Sequence, residues 1–216
     1  MSATPSAPPA VAALPRPLSL FPLNVVLFPG ARLALRVFEA RYLDLVSDCM
    51  RRGVPFGVVC LKRGSDTTRV PGQVAFETVG VAARIDDVDA EDAGILRLRC
   101  AGLARFRLQG DAWQREDGLW LAAAESIPDD PPRQPGPAML QTVNALAEAI
   151  RKLQQLDKVP FSEPYRLDDA GWVANRWCEL LPVPLAAKQK LMELADPVIR
   201  LSIVDGYLRD KKVVLG

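Results

Sequence analysis

The dominant hydrophobic period of this chain changes across a proline-rich segment, and that change restricts the fold to two kinds of packing. Residues 126–137 (SIPDDPPRQPGP) hold five prolines and one glycine, a linker by composition. Upstream, Leu33, Leu35 and Val37 alternate with Arg32, Ala34 and Arg36, the period-two pattern of a half-buried strand. Downstream, Met139, Val143, Leu146, Ile150 and Leu153 recur at the three-to-four spacing of a helix, as do Trp172, Val173, Trp177, Leu180 and Leu181. A chain of 216 residues corresponds to one large or two small domains at about 150 residues each.

The expected organisation is a flexible Pro/Ala/Ser-rich tail over 1–16, a β subdomain with one helix over 17–125, the linker over 126–137, and a helical bundle over 138–216. In the β part, Phe38, Tyr42, Leu45, Val46 and Cys49 share one helical face that Gly53 can terminate. Strands are predicted at 55–62, 74–88, 95–108 and 119–125, with a loop at 63–72 and turn-rich connectors at 89–94 and 109–118. Many short strands at this spacing suggest a small barrel rather than an alternating βαβ sheet. In the bundle, Pro184 suits the first turn of a helix, and Asp196-Pro197 reads as an N-cap followed by an N1 proline.

The absence of histidine excludes Ser-His-Asp triads, Cys-His dyads and His-ligated metals together. The four cysteines form no CxxC pair and sit among apolar neighbours, so they read as small buried hydrophobes of a reducing compartment. The first fifteen residues carry no Lys or Arg, and no apolar run approaches the ~18 residues a bilayer span needs. A cytoplasmic protein with no membrane partner is expected.

A net charge of +1 argues against a chain devoted to nucleic acid. The acidic run Asp86–Asp92 fails as a calcium loop, because Asp92 stands where glycine is required and Leu98 where glutamate is required; it reads as a charged hairpin end. Arg97, Arg99, Arg105 and Arg107 are the main basic cluster. They would share one face if the chain bends near Ala101-Gly102, or they are the outer positions of an ordinary strand neutralised by nearby acids. No nucleophile elbow or phosphate-binding loop is present, and no lysine is placed beside a serine by spacing. No cofactor or metal is expected.

Residues 18–46 (LSLFPLNVVLFPGARLALRVFEARYLDLV) strongly resemble the N-terminal, substrate-binding domain of Lon proteases. The likeness rests on Leu20-Phe21-Pro22-Leu23, Val25-Val26-Leu27, Phe28-Pro29-Gly30 and Phe38-Glu39-Ala40-Arg41-Tyr42. Pro55–Val59 and Val79–Ile85 look like the family's next strands, Gly102–Phe106 resembles its G-x-x-R-F turn, and Leu180–Leu201 its closing helices. The resemblance implies an α+β fold, a PUA-like β-barrel followed by an α-helical bundle. Nothing here matches the family's ATPase or Ser-Lys peptidase domains, so the expectation is a stand-alone, non-catalytic module. Its implied partners are unfolded or peptide segments of other proteins, with a protease as a further candidate. Candidate peptide-binding residues are Phe28, Glu39, Arg41, Tyr42 and Arg105, of which Glu39, Arg41 and Tyr42 read more readily as scaffold than as ligand-binding. An RNA-binding PUA-like module and a small-molecule enzyme are the alternatives.

Overall fold

The barrel is made by one kinked strand that joins both ends of a sheet. In the computed structural model, which describes residues 14–64, 74–156 and 160–214, the strands are β1 (Leu18–Leu23), β2 (Arg32–Val37), β3 (Phe56–Arg63), β4 (Ala75–Phe76), β5 (Val79–Asp92), β6 (Ile95–Leu108), β7 (Trp113–Gln114), β8 (Trp120–Ala122) and β9 (Ala124–Ser126). The sheet order is β2-β6-β5-β3-β1-β8-β7. β8 pairs antiparallel with β1, and one residue later β9 pairs with β6, so the path β1-β3-β5-β6-β9/β8 returns to its start. Ala123 marks the kink, its carbonyl accepting from the Gln109 amide at 2.8 Å. β1 and β3 run parallel, which requires a crossover, and β2 with helix α1 (Ala40–Arg52) supplies it.

Alternation along the strands sorts side chains into two cores. Leu18, Leu20, Val59, Ala82, Phe106 and Leu108 fill the barrel interior. Their neighbours Phe21, Val58, Cys60, Val81 and Ala83 point outward, into a larger core shared with α1 and the bundle. The bundle is one 3₁₀ turn (Pro137–Met139) followed by α2 (Leu140–Gln155), α3 (Ala170–Leu180), α4 (Leu185–Glu193) and α5 (Pro197–Asp210). Local signals act where the sequence places them. Gly53 is the left-handed C-cap of α1, and the Asp196 carboxylate accepts from the amides of Val198 at 2.8 Å and Ile199 at 3.1 Å.

Several expectations are corrected. Phe38 does not join the buried face of α1: the helix begins at Ala40, so the 3.6 period does not govern Phe38, which is exposed. The acidic run is strand through Asp92, and the reversal is confined to Ala93-Gly94. Gly102–Phe106 is no turn. It lies inside β6, where the register shifts between Val81 and Ala83. Glycine is required at 102 because a Cβ there would stand 2.5 Å from the Phe28 carbonyl, while Gly102 exchanges backbone hydrogen bonds with Gly30 and Ala31. Most of the tail (1–13) and of the 63–72 loop lies outside the described residues.

All four cysteines are buried thiols. Burial pushes Cys100 and Cys178 up to about 12 and Cys49 to about 11, which makes them poor nucleophiles. No helix among the described residues is long and apolar enough to cross a membrane.

Candidate functional site

The Leu181-Pro182-Val183-Pro184 segment opens a groove in the bundle. Proline disfavours the α conformation in the residue before it, so α3 stops at Leu181, which is extended at ψ 136°. Pro184 then caps α4, a helix of only nine residues, and Asp196-Pro197 starts α5 immediately afterwards. These closely spaced helices leave between them a cavity of about 600 Å³. Leu181, Val183, Leu191, Leu194, Ile203 and Tyr207 line it, with Lys190 and Glu193 at its rim, paired at 3.2 Å. Ile203 and its neighbour one turn away, Ile199, are about half exposed on α5. Its size and apolar lining are those of a binding pocket.

Two other hollows are less apt. One, beside Trp113 and Gln109 at the barrel's end, is of similar size but mixes Arg16 and Glu125 into its lining. The other, about 270 Å³, lies between α1 and the β7–β8 loop. Three of its charged residues are paired locally, Asp48 with Arg51 and Arg52, and Arg115 with Asp117.

The groove wall is held by buried arginines. Arg105 of β6 donates through Nη1 to the carbonyls of Met192 (3.1 Å) and Leu194 (2.9 Å), and through Nη2 to Pro128 O (3.3 Å) and to Asp130 Oδ1 (2.6 Å). Arg200 of α5 donates to Leu191 O at 2.8 Å, to Leu194 O, to Asn175 Oδ1 at 3.1 Å and to Asp130 Oδ2 at 2.6 Å. The carbonyls at the end of α4, of which Leu191 O also accepts from the Leu194 amide at 3.3 Å, thus meet two cations, as the helix dipole favours. Gln189 ties the same helix to the barrel, donating to Val79 O at 2.9 Å.

A second weld explains the Phe-Pro-Gly turn. Arg176 of α3, fully buried, donates to Pro29 O and Gly30 O at 2.8 Å each and pairs with Glu179. Gly30 sits at φ +75°, and a Cβ there would come within 3.3 Å of Arg176 Nη1. Burial works against both charges of the Arg176–Glu179 pair, lowering the guanidinium and raising the carboxyl, and each partner offsets part of the other's shift.

The five residues singled out from sequence fall in or against this scaffold. Phe28 is completely buried. Tyr42 is buried with its ring stacked on Phe21, centroids 3.9 Å apart. Arg41 is buried over the Tyr42 ring, pairs with Glu39 at 2.9 Å and donates to Gly118 O at 2.9 Å. Glu39 is the N-cap residue of α1, but its carboxylate turns to Arg41 instead of capping the helix. Arg105 is consumed by the seam. The four arginines of β6 do not share a face toward solvent. Arg97 pairs with Glu91, Arg99 with Asp87 and Asp89, Arg107 is exposed and Arg105 is buried. The reading of outer positions neutralised by nearby acids thus describes Arg97 and Arg99, while buried Arg105 departs from it.

Sequence reasoning missed Asp130, Arg176, Arg200 and the groove itself. A signal existed for two of them. Arg176 and Arg200 occupy positions inside apolar helical stripes, Arg200 four residues before Val204 and Arg176 three after Val173. Asp130 carries none, being one acid in a proline-rich stretch.

Residues 17–210 match the family model of the ATP-dependent protease La (LON) substrate-binding domain. The chain is 31% identical to the Lon protease of Paraburkholderia phytofirmans over 208 residues and 26% identical to Lon protease 2 of Myxococcus xanthus over 206, covering at least 90% of this chain in each case. It spans about a quarter of the length of these relatives (24%). The crystal structure of a Lon N-terminal domain protein from Xanthomonas campestris is similar, with TM-score 0.69 and 34% identity over 88% of this chain and 98% of that one. The N-terminal domain of a Mycobacterium avium complex Lon protease shares the fold at TM-score 0.59 and 16% identity, over 90% of this chain and 98% of that one. With an α+β barrel-and-bundle architecture and a match over residues 17–210, this chain belongs to the Lon substrate-binding domain family.

Proposed function

We propose that this chain is a docking module without a catalytic centre of its own, which takes apolar stretches of unfolded polypeptide into the groove between α4 and α5 and acts beside a protease, presenting or withholding its substrates. The observation that carries this reading is the groove: an apolar hollow of about 600 Å³, open beside the half-exposed Ile203, on a family scaffold of substrate-binding type. An unfolded chain differs from its folded form chiefly in exposing aliphatic and aromatic side chains. A hollow lined by Leu181, Leu191, Leu194 and Tyr207 selects for that difference through burial of apolar area. The Lys190–Glu193 pair at the rim leaves the entrance without strong charge bias, which suits substrates of varied sequence.

The test is fluorescence anisotropy with a labelled, reduced and carboxymethylated polypeptide, and with the same polypeptide in its native fold as control. Saturable binding of the unfolded form alone is expected. Ile203→Glu, which places a charge at the groove wall from an exposed helix position, should weaken it about tenfold or more without changing the melting temperature. A flat titration, or equal binding by the variant, would overturn the reading. For the protease role, the rate at which a Lon-type protease degrades that polypeptide should change when this chain is added; an unaltered rate would remove that role.

A further inference from the structure

We infer that Asp130, in the proline-rich segment, is the positioning residue of the groove, through which barrel strand β6 and helix α5 jointly set the place of the α4 wall. This inference rests on the groove being the docking site. Every carbonyl of α4 and its C-cap that the two buried arginines hold belongs to residues 191, 192 or 194, and residues 190, 191, 193 and 194 supply that wall. Arg105 and Arg200 approach these carbonyls from different elements, and two like charges so placed repel. Asp130 lies between them, giving Oδ1 to Arg105 at 2.6 Å and Oδ2 to Arg200 at 2.6 Å, with the carboxylate largely buried. A buried cation aims its remaining donors well only when its counter-charge fixes the guanidinium plane. Removing the anion therefore releases both forks at once, and with them the last turn of α4. The other ties of that helix lie nearer its middle and start, in the Gln189 bond to Val79 O and the Lys188 bond to Glu179 O, while the Pro184 N-cap offers no side-chain hydrogen bond. Gly171 leaves the space in which the carboxylate sits, since a Cβ there would stand 3.1 Å from Oδ2. The proline-rich segment thus acts as a strap whose Asp130 carboxylate sets the width of a groove that its own side chain does not line.

Backbone hydrogen exchange and binding of the same unfolded polypeptide, measured on Asp130→Asn, test this together. The expected result is exchange about tenfold faster at the amides of Gln189–Leu194, with β3 and β5 unchanged, and affinity for the polypeptide lowered about tenfold. Asp130→Glu, which keeps the charge, should return most of the protection. Should Asp130→Asn fail to fold, Arg105→Lys replaces it, because a point-charge ammonium keeps the ion pair but loses the fork to Met192 and Leu194; the same local loosening is expected. Unaltered exchange in α4, or a rise spread evenly over barrel and bundle, would overturn the inference. The exchange experiment needs no ligand: loosened α4 with undiminished polypeptide binding would sink the groove as docking site while leaving the strap in place.

Discussion

Strand β6 carries arginines at both ends, and the two ends use them in opposite ways. At the hairpin end, Arg97 and Arg99 are more than half exposed and meet Glu91, Asp87 and Asp89 across the strands in a ladder of alternating charge. At the seam, Arg105 is buried, its guanidinium divided between one carboxylate and three backbone carbonyls, with Arg200 beside it and Arg176 making the equivalent weld to the Pro29-Gly30 turn. Residue type and strand are the same, so the difference comes from what covers each end. Water solvates the hairpin and weakens its ion pairs. At the seam the bundle excludes water, so the guanidinium protons depend on protein acceptors, which the Nη atoms of Arg105, Arg176 and Arg200 find and Arg176 Nε does not. The exposed ladder keeps a long hairpin soluble, whereas the buried clamps fix where the bundle sits and hence where the groove opens.

Breaking a clamp should have the largest effect. Arg176→Ala leaves two turn carbonyls and the buried Glu179 without their cation, and should cost about 3–5 kcal/mol, read as a lower midpoint in urea. If it proved as mild as a surface change, the contrast between seam and hairpin would collapse. The matching change on the hairpin, Arg97→Ala with Arg99→Ala, should cost about 1 kcal/mol or less, and its effect should shrink further in high salt while that of Arg176→Ala persists. The smallest effect concerns exposed ion pairs elsewhere on the barrel. Hydrogen bonds from Arg52 and Arg51 hold the Asp48 carboxyl below its ordinary value, and one from Arg115 does the same for Asp117. Both folded-state values lie below the unfolded one of 3.8, so the stabilisation is present above that pH and is lost as pH falls through the folded values. Urea midpoints measured from about pH 5 down to about pH 3 should decline less steeply in Asp48→Asn/Asp117→Asn than in the parent; parallel slopes would show that these pairs contribute nothing.

Much of the fold was legible because its signals are local. The alternation in Arg32–Val37, the helical stripe from Tyr42 to Cys49, Gly53 as its stop and Asp196-Pro197 as a start each depend on a few adjacent residues and their own backbone angles. Phe38 misled because periodicity does not announce where a helix begins. The Phe-Pro-Gly and F-E-x-R-Y motifs carried the family likeness, yet the structure shows them as the barrel's joint with α3 and as the packing of α1 rather than as an open binding surface. Of the groove, the apolar helix positions were visible, but not which of them would be left without a covering neighbour.

The sequence alone determined the two packing periods, the helix boundaries set by glycine, proline and aspartate, the burial of the cysteines and the family. Those properties arise within a turn or two of chain. Tertiary structure alone decided which arginines carry charge into the core, that Asp130 joins two of them, and that α4 and α5 leave a hollow. Arg176 meets Gly30 across 146 positions and Arg105 meets Met192 across 87. A side chain's solvation at such sites is set by elements far off in sequence, so no local pattern could have announced it.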